Sequence, residues 1–170
     1  MTAKLPQKFL DNMKEMLGAE YQDYIKSMEM ESATALRINT NKISIEDFRK
    51  LCPFEMAQVP WNPKGFYYDT HRDVPSKHPY YYAGLYYIQE PSAMIPAQLL
   101  PVNEEDRVLD LCAAPGGKAT ELAAKLHNTG LLIANDISVS RAMALAKNLQ
   151  VAGARQAVVT AETPEHLARA

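Results

Sequence analysis

The residues best placed to do chemistry lie between positions 108 and 136, where an apolar segment ends in a loop of small residues. The loop contains Pro115, Gly116 and Gly117, and Lys118 follows directly. Backbone this compact at the end of an apolar segment is typical of a ligand-binding turn. Asp136 follows about 20 residues after the glycines, where an acidic side chain can accept both hydrogen bonds of a ribose diol. The two features together predict a site for a ribose-containing ligand.

The loop does not match the two common nucleotide motifs. A Walker loop requires GxxxxGK[ST], but Cys112 stands at the first glycine position and Ala119 follows the lysine. The dinucleotide pattern GxGxxG is absent as well. A ribose without a pyrophosphate cradle favours S-adenosylmethionine, with its methionine part over the loop. In the alternative interpretation, the glycines only form a tight turn and Asp136 only caps the helix that begins near Ser138.

The elements around this loop alternate between strands and helices. We predict a short strand or an extended entry over 84–90 and strands over 106–112, 130–136 and 156–162. Helices are predicted over 91–100, 118–127 and 138–152, with a further helix from Pro164. Ser138 is expected to cap the third of these helices and Gly153 to end it. This order predicts an α/β fold with a parallel sheet and right-handed crossovers. The loop then lies where the first parallel strand leads into a helix, which is where open sheets bind ligands.

The region before residue 78 has a different pattern. It predicts helices over 6–17 and 21–28, a strand over 34–39, a helix after the N-cap Ser44 and a strand over 65–69. We therefore expect a small α+β domain over 1–77 and the first half of a Rossmann-like domain over 78–170.

Composition excludes several classes of protein. With 18 basic and 20 acidic residues, the net charge of −2 gives no global preference for nucleic acid. The two cysteines and four histidines lack the spacing of a metal site or a disulfide framework. The sequence has neither a signal peptide nor an apolar run near 18 residues, so we expect a cytoplasmic protein without a membrane partner.

Four segments resemble one family of enzymes. The segments "DLCAAPGGKATEL" (110–122) and "ANDIS" (134–138) resemble the Sun-type, or Fmu-type, RNA cytosine-5 methyltransferases. "ALRINT" (35–40) resembles their N-terminal RNA-binding segment, and "GLYYIQEPSAMIPAQLL" (84–100) resembles the approach to their catalytic domain. The bacterial members most similar to it form the methyltransferase F group, which modifies small-subunit ribosomal RNA. The resemblance implies a Rossmann-like fold and S-adenosylmethionine-dependent methylation of cytosine C5 in that RNA.

The resemblance also implies roles for individual residues. The loop would hold the methionine end of the cofactor, with Lys118 and backbone donors facing its carboxylate. Asp136 would bind the ribose hydroxyls, and Arg141 would flank the pocket. Glu162 or Thr163 would lie near the adenine, although Ala161 stands where a polar residue is expected. The complete predicted set is Cys112, Ala113, Ala114, Pro115, Gly116, Gly117, Lys118, Asp136, Arg141, Glu162 and Thr163.

The family's catalytic residues have no counterpart in this sequence. In these enzymes a cysteine thiolate adds to carbon 6 of cytosine, and the cysteines lie in Pro-Cys and Thr-Cys segments of later strands. Neither dipeptide occurs here, so catalytic residues are expected beyond Ala170. We therefore expect the N-terminal part of a longer enzyme, inactive alone and able to self-associate through an unpaired first strand. Cys52 and Cys112 are expected to be packed apolar residues.

Several alternatives remain open from the sequence. A non-catalytic S-adenosylmethionine-binding or RNA-binding module would keep the same loop, and so would part of a small-molecule methyltransferase. The extension over 1–77 is unusual for the latter. The tyrosines at 80–82 and 86–87 either stack on bases or pack against the domain. A set of basic residues either contacts phosphates or forms a solvated face: Arg37, Lys42, Arg49, Lys50 and Lys64.

Overall fold

The structure, a computed structural model, describes residues 5–169. Residues 5–33 form a compact unit of their own, built from helices α1 (Gln7–Leu17) and α2 (Tyr21–Glu29). Pro6 is the N-cap of α1, and Gly18 ends this helix with a φ of +52°. A proline at the start and a glycine at the end suit the two ends of a helix. Both predicted helices are confirmed close to their expected bounds.

An antiparallel sheet of four strands follows in the second unit. The strands are β1 (Ala35–Ile38), β2 (Met56–Gln58), β3 (Gly65–Tyr68) and β4 (Tyr86–Ile88), in the order β2-β3-β1-β4. Every residue of β1 is buried. Helix α3 (Ile45–Leu51) begins after Ser44, whose hydroxyl accepts a hydrogen bond from the Asp47 amide, as predicted. One core cluster joins these elements: Leu36, Ile38, Phe48, Phe66 and Tyr86.

The strand within 84–90 belongs to this antiparallel sheet and not to the regular region that follows. Ile38 of β1 pairs with Tyr86 of β4. The sequence analysis also missed β2 and the short helix α4 (Pro79–Tyr82), because both lie in a proline-rich region without clear periodicity. The division at residue 77 stays a prediction, and the sheet takes its fourth strand from beyond that position.

The second sheet is parallel, which confirms the α/β fold class. It contains β5 (Arg107–Asp110), β6 (Leu131–Asn135) and β7 (Ala157–Thr160), in that order. Helices α5 (Ile95–Leu99), α6 (Gly117–Lys125), α7 (Val139–Ala152) and α8 (Pro164–Leu167) accompany it. A second core cluster packs α6 and α7 onto the sheet and includes Ala119, Leu122, Leu132, Leu145 and Leu149.

The two ends of α7 differ in how well the sequence predicted them. Gly153 ends the helix in the left-handed conformation, with a φ of +78°, as expected. Ser138 is the N-cap, but its side chain makes no capping hydrogen bond. Its hydroxyl lies 3.1 Å from that of Ser140, and its amide donates to Asp136 Oδ1 at 3.0 Å. Ser138 is therefore the N-cap residue, as predicted, but it stands there without a side-chain capping bond.

Strand β5 lies at an edge of the parallel sheet. Among residues 5–169 it pairs with β6 alone, and Leu109 on it is 53% exposed. An unpaired strand with an exposed apolar side chain is a template for association with another chain. Self-association through this edge stays a prediction.

Candidate cofactor-binding site

The glycine loop connects β5 to α6 at the carboxyl edge of the parallel sheet. Gly116 is the N-cap of α6 and has a φ of +115°, a conformation that side chains rarely adopt. A Cβ atom there would also lie 3.2 Å from Leu145 Cδ1. Because glycine has no side chain, the N-cap residue supplies no side-chain acceptor to the first turn of α6. These amide groups therefore form an anion-attracting helix terminus.

Contacts from β6 and α7 hold the loop in place. The Ala113 amide donates to the Asn135 carbonyl at 2.8 Å. The Arg141 guanidinium donates to the Ala114 carbonyl at 3.0 Å, and the Asn148 side chain donates to the Pro115 carbonyl at 2.7 Å. Three hydrogen bonds from two elements thus fix the loop, and a binding surface that is formed before the ligand arrives lowers the cost of binding.

The two predicted features meet at this edge, because Asp136 follows directly on β6. Its carboxylate is only 3% exposed. Oδ1 accepts from the Ser138 amide, and Oδ2 lies 3.1 Å from the Arg141 guanidinium. An ionised carboxylate has about four acceptor positions, so it keeps capacity for a diol after these contacts. These two contacts and the proposed ligand role are therefore compatible in one carboxylate.

Asp110 ends β5 directly below the loop. Its Oδ1 accepts a hydrogen bond from the Cys112 amide at 3.3 Å. Burial raises the pKa of this carboxyl group, while the Cys112 amide and the nearby Lys118 ammonium oppose the rise. The strand end thus places a second acidic group behind the glycines.

The residues after β7 are held by local hydrogen bonds. Glu162 Oε2 lies 2.6 Å from His166 Nδ1. Thr163 caps α8, since its hydroxyl accepts from the His166 amide at 3.2 Å. Both residues follow the third parallel strand, as predicted, and the choice between them for an adenine contact stays a prediction.

Asn135 organises this whole edge, and the sequence analysis missed it. Its Nδ2 donates to the Leu111 carbonyl at 3.1 Å and to the Glu162 carbonyl at 2.9 Å. Its Oδ1 accepts from the Thr160 hydroxyl at 2.7 Å and from the Glu162 amide at 3.0 Å. One buried amide therefore connects the ends of β5, β6 and β7. The available signal was an asparagine inside an apolar strand, because a buried amide requires partners.

A buried ionic cluster connects the antiparallel sheet to the start of α6. Arg37 of β1 is 4% exposed and lies 3.4 Å from the Glu121 carboxylate. It donates to the Thr120 hydroxyl at 2.7 Å, to the Gly117 carbonyl at 2.5 Å and to the Gln89 side-chain oxygen. Desolvation lowers the pKa of Arg37, and the Glu121 charge opposes this. Of the two alternatives left open for Arg37, contact with phosphates or a solvated face, the burial of this side chain fits neither.

The two cysteines lie in different surroundings. Cys112 is exposed, so the expectation that it packs in the interior is wrong, because β5 ends two residues earlier. Cys52 is half-buried, with its Sγ 3.6 Å from the sulfur of Met56. Burial raises the pKa of the Cys52 thiol.

Within residues 5–169, no group of three or more His, Cys, Asp or Glu side chains is arranged to hold a metal ion. In the same range, no helix is both long and apolar enough to span a membrane.

Comparisons with known sequences match nearly the whole chain. Residues 5–91 match the family model described as the N-terminal domain of 16S rRNA methyltransferase RsmF, and residues 97–167 match 16S rRNA methyltransferase RsmB/F. The ribosomal RNA small subunit methyltransferase F of Vibrio parahaemolyticus is 35% identical over 168 residues, which cover 92% of this chain and 34% of that protein. The Escherichia fergusonii protein of the same name is 34% identical over 171 residues, which cover 94% and 35%. The chain thus spans about a third of the length of these relatives.

Solved structures show the same fold. A methyltransferase homolog protein from Pyrococcus horikoshii superposes with a TM-score of 0.87 at 29% identity, covering 97% of this chain and 55% of that one. NSun6 from Pyrococcus horikoshii with SFG has a TM-score of 0.86 at 18% identity, covering 97% and 67%. The second likeness is one of fold alone.

Proposed function

Because the chain belongs to the family of the N-terminal domain of 16S rRNA methyltransferase RsmF, we propose that the protein containing it methylates cytosine C5 in small-subunit ribosomal RNA. S-adenosylmethionine is the proposed methyl donor, and the cytoplasm is the proposed location. Residues 1–77 are proposed as an RNA-binding domain and residues 78–170 as the first half of the methyltransferase domain.

One observation carries the cofactor proposal. The uncapped N-terminus of α6 follows β5, and the buried Asp136 carboxylate follows the neighbouring strand β6, so both lie at the same edge of the sheet. The amides at the start of α6 and the Lys118 ammonium are suited to a carboxylate. The Asp136 carboxylate is suited to a ribose diol. This donor and acceptor set fits S-adenosylmethionine, which when bound supplies an electrophilic methyl group.

The protein's own groups bind and orient in this proposal. The loop of residues 112–118 holds the amino-acid end, and Asp136 holds the ribose. Arg141 contacts both the Ala114 carbonyl and the Asp136 carboxylate, so it keeps these two parts of the site at a fixed separation. Glu162 or Thr163 contacts the adenine.

A binding experiment tests this assignment. We expect Asp136→Ala to weaken S-adenosylmethionine binding by about 1–3 kcal/mol, because two hydrogen bonds to a charged acceptor are lost. Isothermal titration of the purified protein measures this loss. Asp106→Ala is the matched control, since Asp106 precedes β5 at the opposite edge of the sheet. Equal affinity of the Asp136→Ala variant and the wild-type protein would remove Asp136 from the site.

We propose that neither Cys52 nor Cys112 is the catalytic nucleophile. Cys112 stands at the start of the proposed methionine-binding loop, and Cys52 packs beside Met56 in the first domain. RNA containing 5-fluorocytosine traps an enzyme thiolate that has added to carbon 6. We expect Cys112→Ser in the protein to be trapped as the wild type is. Loss of the adduct in this variant alone would identify Cys112 as the nucleophile and overturn the assignment.

A further inference from the structure

A cavity lies between the antiparallel sheet and helices α6 and α7. Its volume is about 330 Å³, within the usual size range of small-ligand sites. None of the eleven residues predicted to bind the cofactor lines it. The cavity shares Asn148 with the contacts that hold the glycine loop, but the proposed methyl transfer gives the cavity itself no role.

Its lining combines aromatic rings with small side chains. Elements α4 and β4 contribute tyrosines, of which Tyr81, Tyr82 and Tyr87 are at least partly exposed. Helices α6 and α7 contribute Ala124, Ala144, Val151 and Ala152. Because tyrosine rings and short side chains form much of its lining, we call this cavity the tyrosine slot. Such a slot suits a flat aromatic ligand.

The tyrosines of this region divide into two groups. Tyr86 is buried, donates its hydroxyl to the Pro75 carbonyl at 2.7 Å and packs edge-on against Phe48 at 5.6 Å between centroids. Tyr82, in contrast, is 70% exposed although its ring lies only 5.6 Å from that of Tyr81. An aromatic side chain this exposed beside a cavity gains little from packing and is available for stacking.

The net charge of the side chains that line the slot is positive. Lys147 on α7 lines it, is exposed and has no ion-pair partner among the described residues. Lys64 also lines it and is partly buried, while Glu121 is already neutralised by Arg37. An aromatic slot with two amines at its side matches a base and its neighbouring phosphate.

We propose that the tyrosine slot binds an unpaired nucleobase of the RNA, stacked on Tyr82 and its neighbouring rings, with an adjacent phosphate on Lys147 and Lys64. This inference rests on the proposed RNA substrate and adds a second contact, away from the methylated base. A free nucleotide has the same chemistry, so the experiment must separate the two sources.

The first test measures binding of a fluorescent single-stranded RNA oligonucleotide to the purified protein by anisotropy. We expect Tyr82→Ala to weaken binding about five- to 100-fold, the range for one lost base stack. Tyr82→Phe keeps the ring and should bind as the wild type does. Lys147→Ala should reduce the slope of log affinity against log salt by about one. Trp61→Ala is the matched control, because Trp61 is an exposed aromatic residue outside the slot.

The second test locates the base directly. RNA carrying single 4-thiouridine substitutions is irradiated with the protein, and the crosslinked peptide is identified by mass spectrometry. A crosslink within residues 81–87 or 144–151 supports the slot. The same measurement with a mononucleotide competitor shows whether the bound base comes from RNA or from a free nucleotide. If the mononucleotide displaces the RNA when both are at the same concentration, the RNA assignment is overturned in favour of a free nucleotide.

The outcomes separate the two proposals. If wild-type protein binds and methylates RNA while Tyr82→Ala and Lys147→Ala bind it unchanged, the tyrosine slot is wrong and the methyltransferase proposal stands. If wild-type protein binds S-adenosylmethionine but neither binds nor methylates RNA, the proposed function fails, and the slot's RNA ligand fails with it.

Discussion

Replacing Arg37 tests whether the buried ionic cluster holds the antiparallel sheet against α6. Arg37→Met removes the cation that lies 3.4 Å from the Glu121 carboxylate, and that carboxylate has no accessible surface. Leaving one member of a buried pair without its partner costs about 3–5 kcal/mol. The whole free energy of unfolding of a domain is about 5–15 kcal/mol. We therefore expect this single substitution to remove a large part of the stability.

The double variant Arg37→Met with Glu121→Leu separates the charge effect from the lost contacts. Removing both charges eliminates the uncompensated carboxylate, so a coupling energy of about 0.5–3 kcal/mol should return. The Gln89 side-chain oxygen still loses the Arg37 donor, at about 1–3 kcal/mol for an acceptor left unsatisfied, while the Gly117 carbonyl keeps the Thr120 hydroxyl at 3.3 Å. The double variant should therefore be less stable than the wild type, but its loss should be smaller than the sum of the losses of Arg37→Met and Glu121→Leu alone.

Urea denaturation followed by circular dichroism measures these differences, provided that the slopes of the transitions agree. The exposed pair Glu46 and Lys50, 2.7 Å apart on α3, supplies the control, and its double replacement should change stability little. If the double variant of the buried pair loses the sum of the two single losses, the two side chains are not coupled and the reasoning is refuted.

Three further outcomes follow from the geometry. Gly84→Ala should lower the melting temperature more than Gly18→Ala, because a Cβ at Gly84 would lie 2.2 Å from a backbone oxygen of α7 while Gly18 has open space; equal losses would contradict this. Asn135→Ala should destabilise the protein by at least about 2 kcal/mol, since several buried groups lose their partner, and an unchanged denaturation midpoint would disprove its connecting role. Iodoacetamide should modify Cys112 faster than Cys52, whose thiol is half-buried with a raised pKa; mass spectrometry of timed samples would show the reverse order if this is wrong.

The parts of the fold that depend on local pattern could be predicted from the sequence. Alternating apolar segments with glycine and proline between them placed β5 to β7 and their helices, because each element buries one face of a repeating period. The same pattern placed Asp136 beside the loop, since parallel strands end at one edge.

The parts that depend on distant partners could not be predicted. Tyr86–Ile88 joins the antiparallel sheet because β1 is its neighbour, and three residues of extended chain do not reveal which strand they pair with. The burial of Arg37 depends on Glu121, which lies on α6 beside the parallel sheet. A charged side chain is fully buried only when it is paired, and the pair exists only after the chain has folded.

Strand β1 belongs to two interiors at once. Leu36 and Ile38 point into the aromatic cluster of the antiparallel sheet, while Arg37 and Asn39 on the opposite face bind α6 and the end of α7. A cut between the two sheets would therefore leave an unmatched acid on one piece and an unmatched guanidinium on the other. Expressing the two parts separately, divided between the two sheets, should therefore yield insoluble protein from each. Residues 34–169 are expected to fold and unfold as one unit.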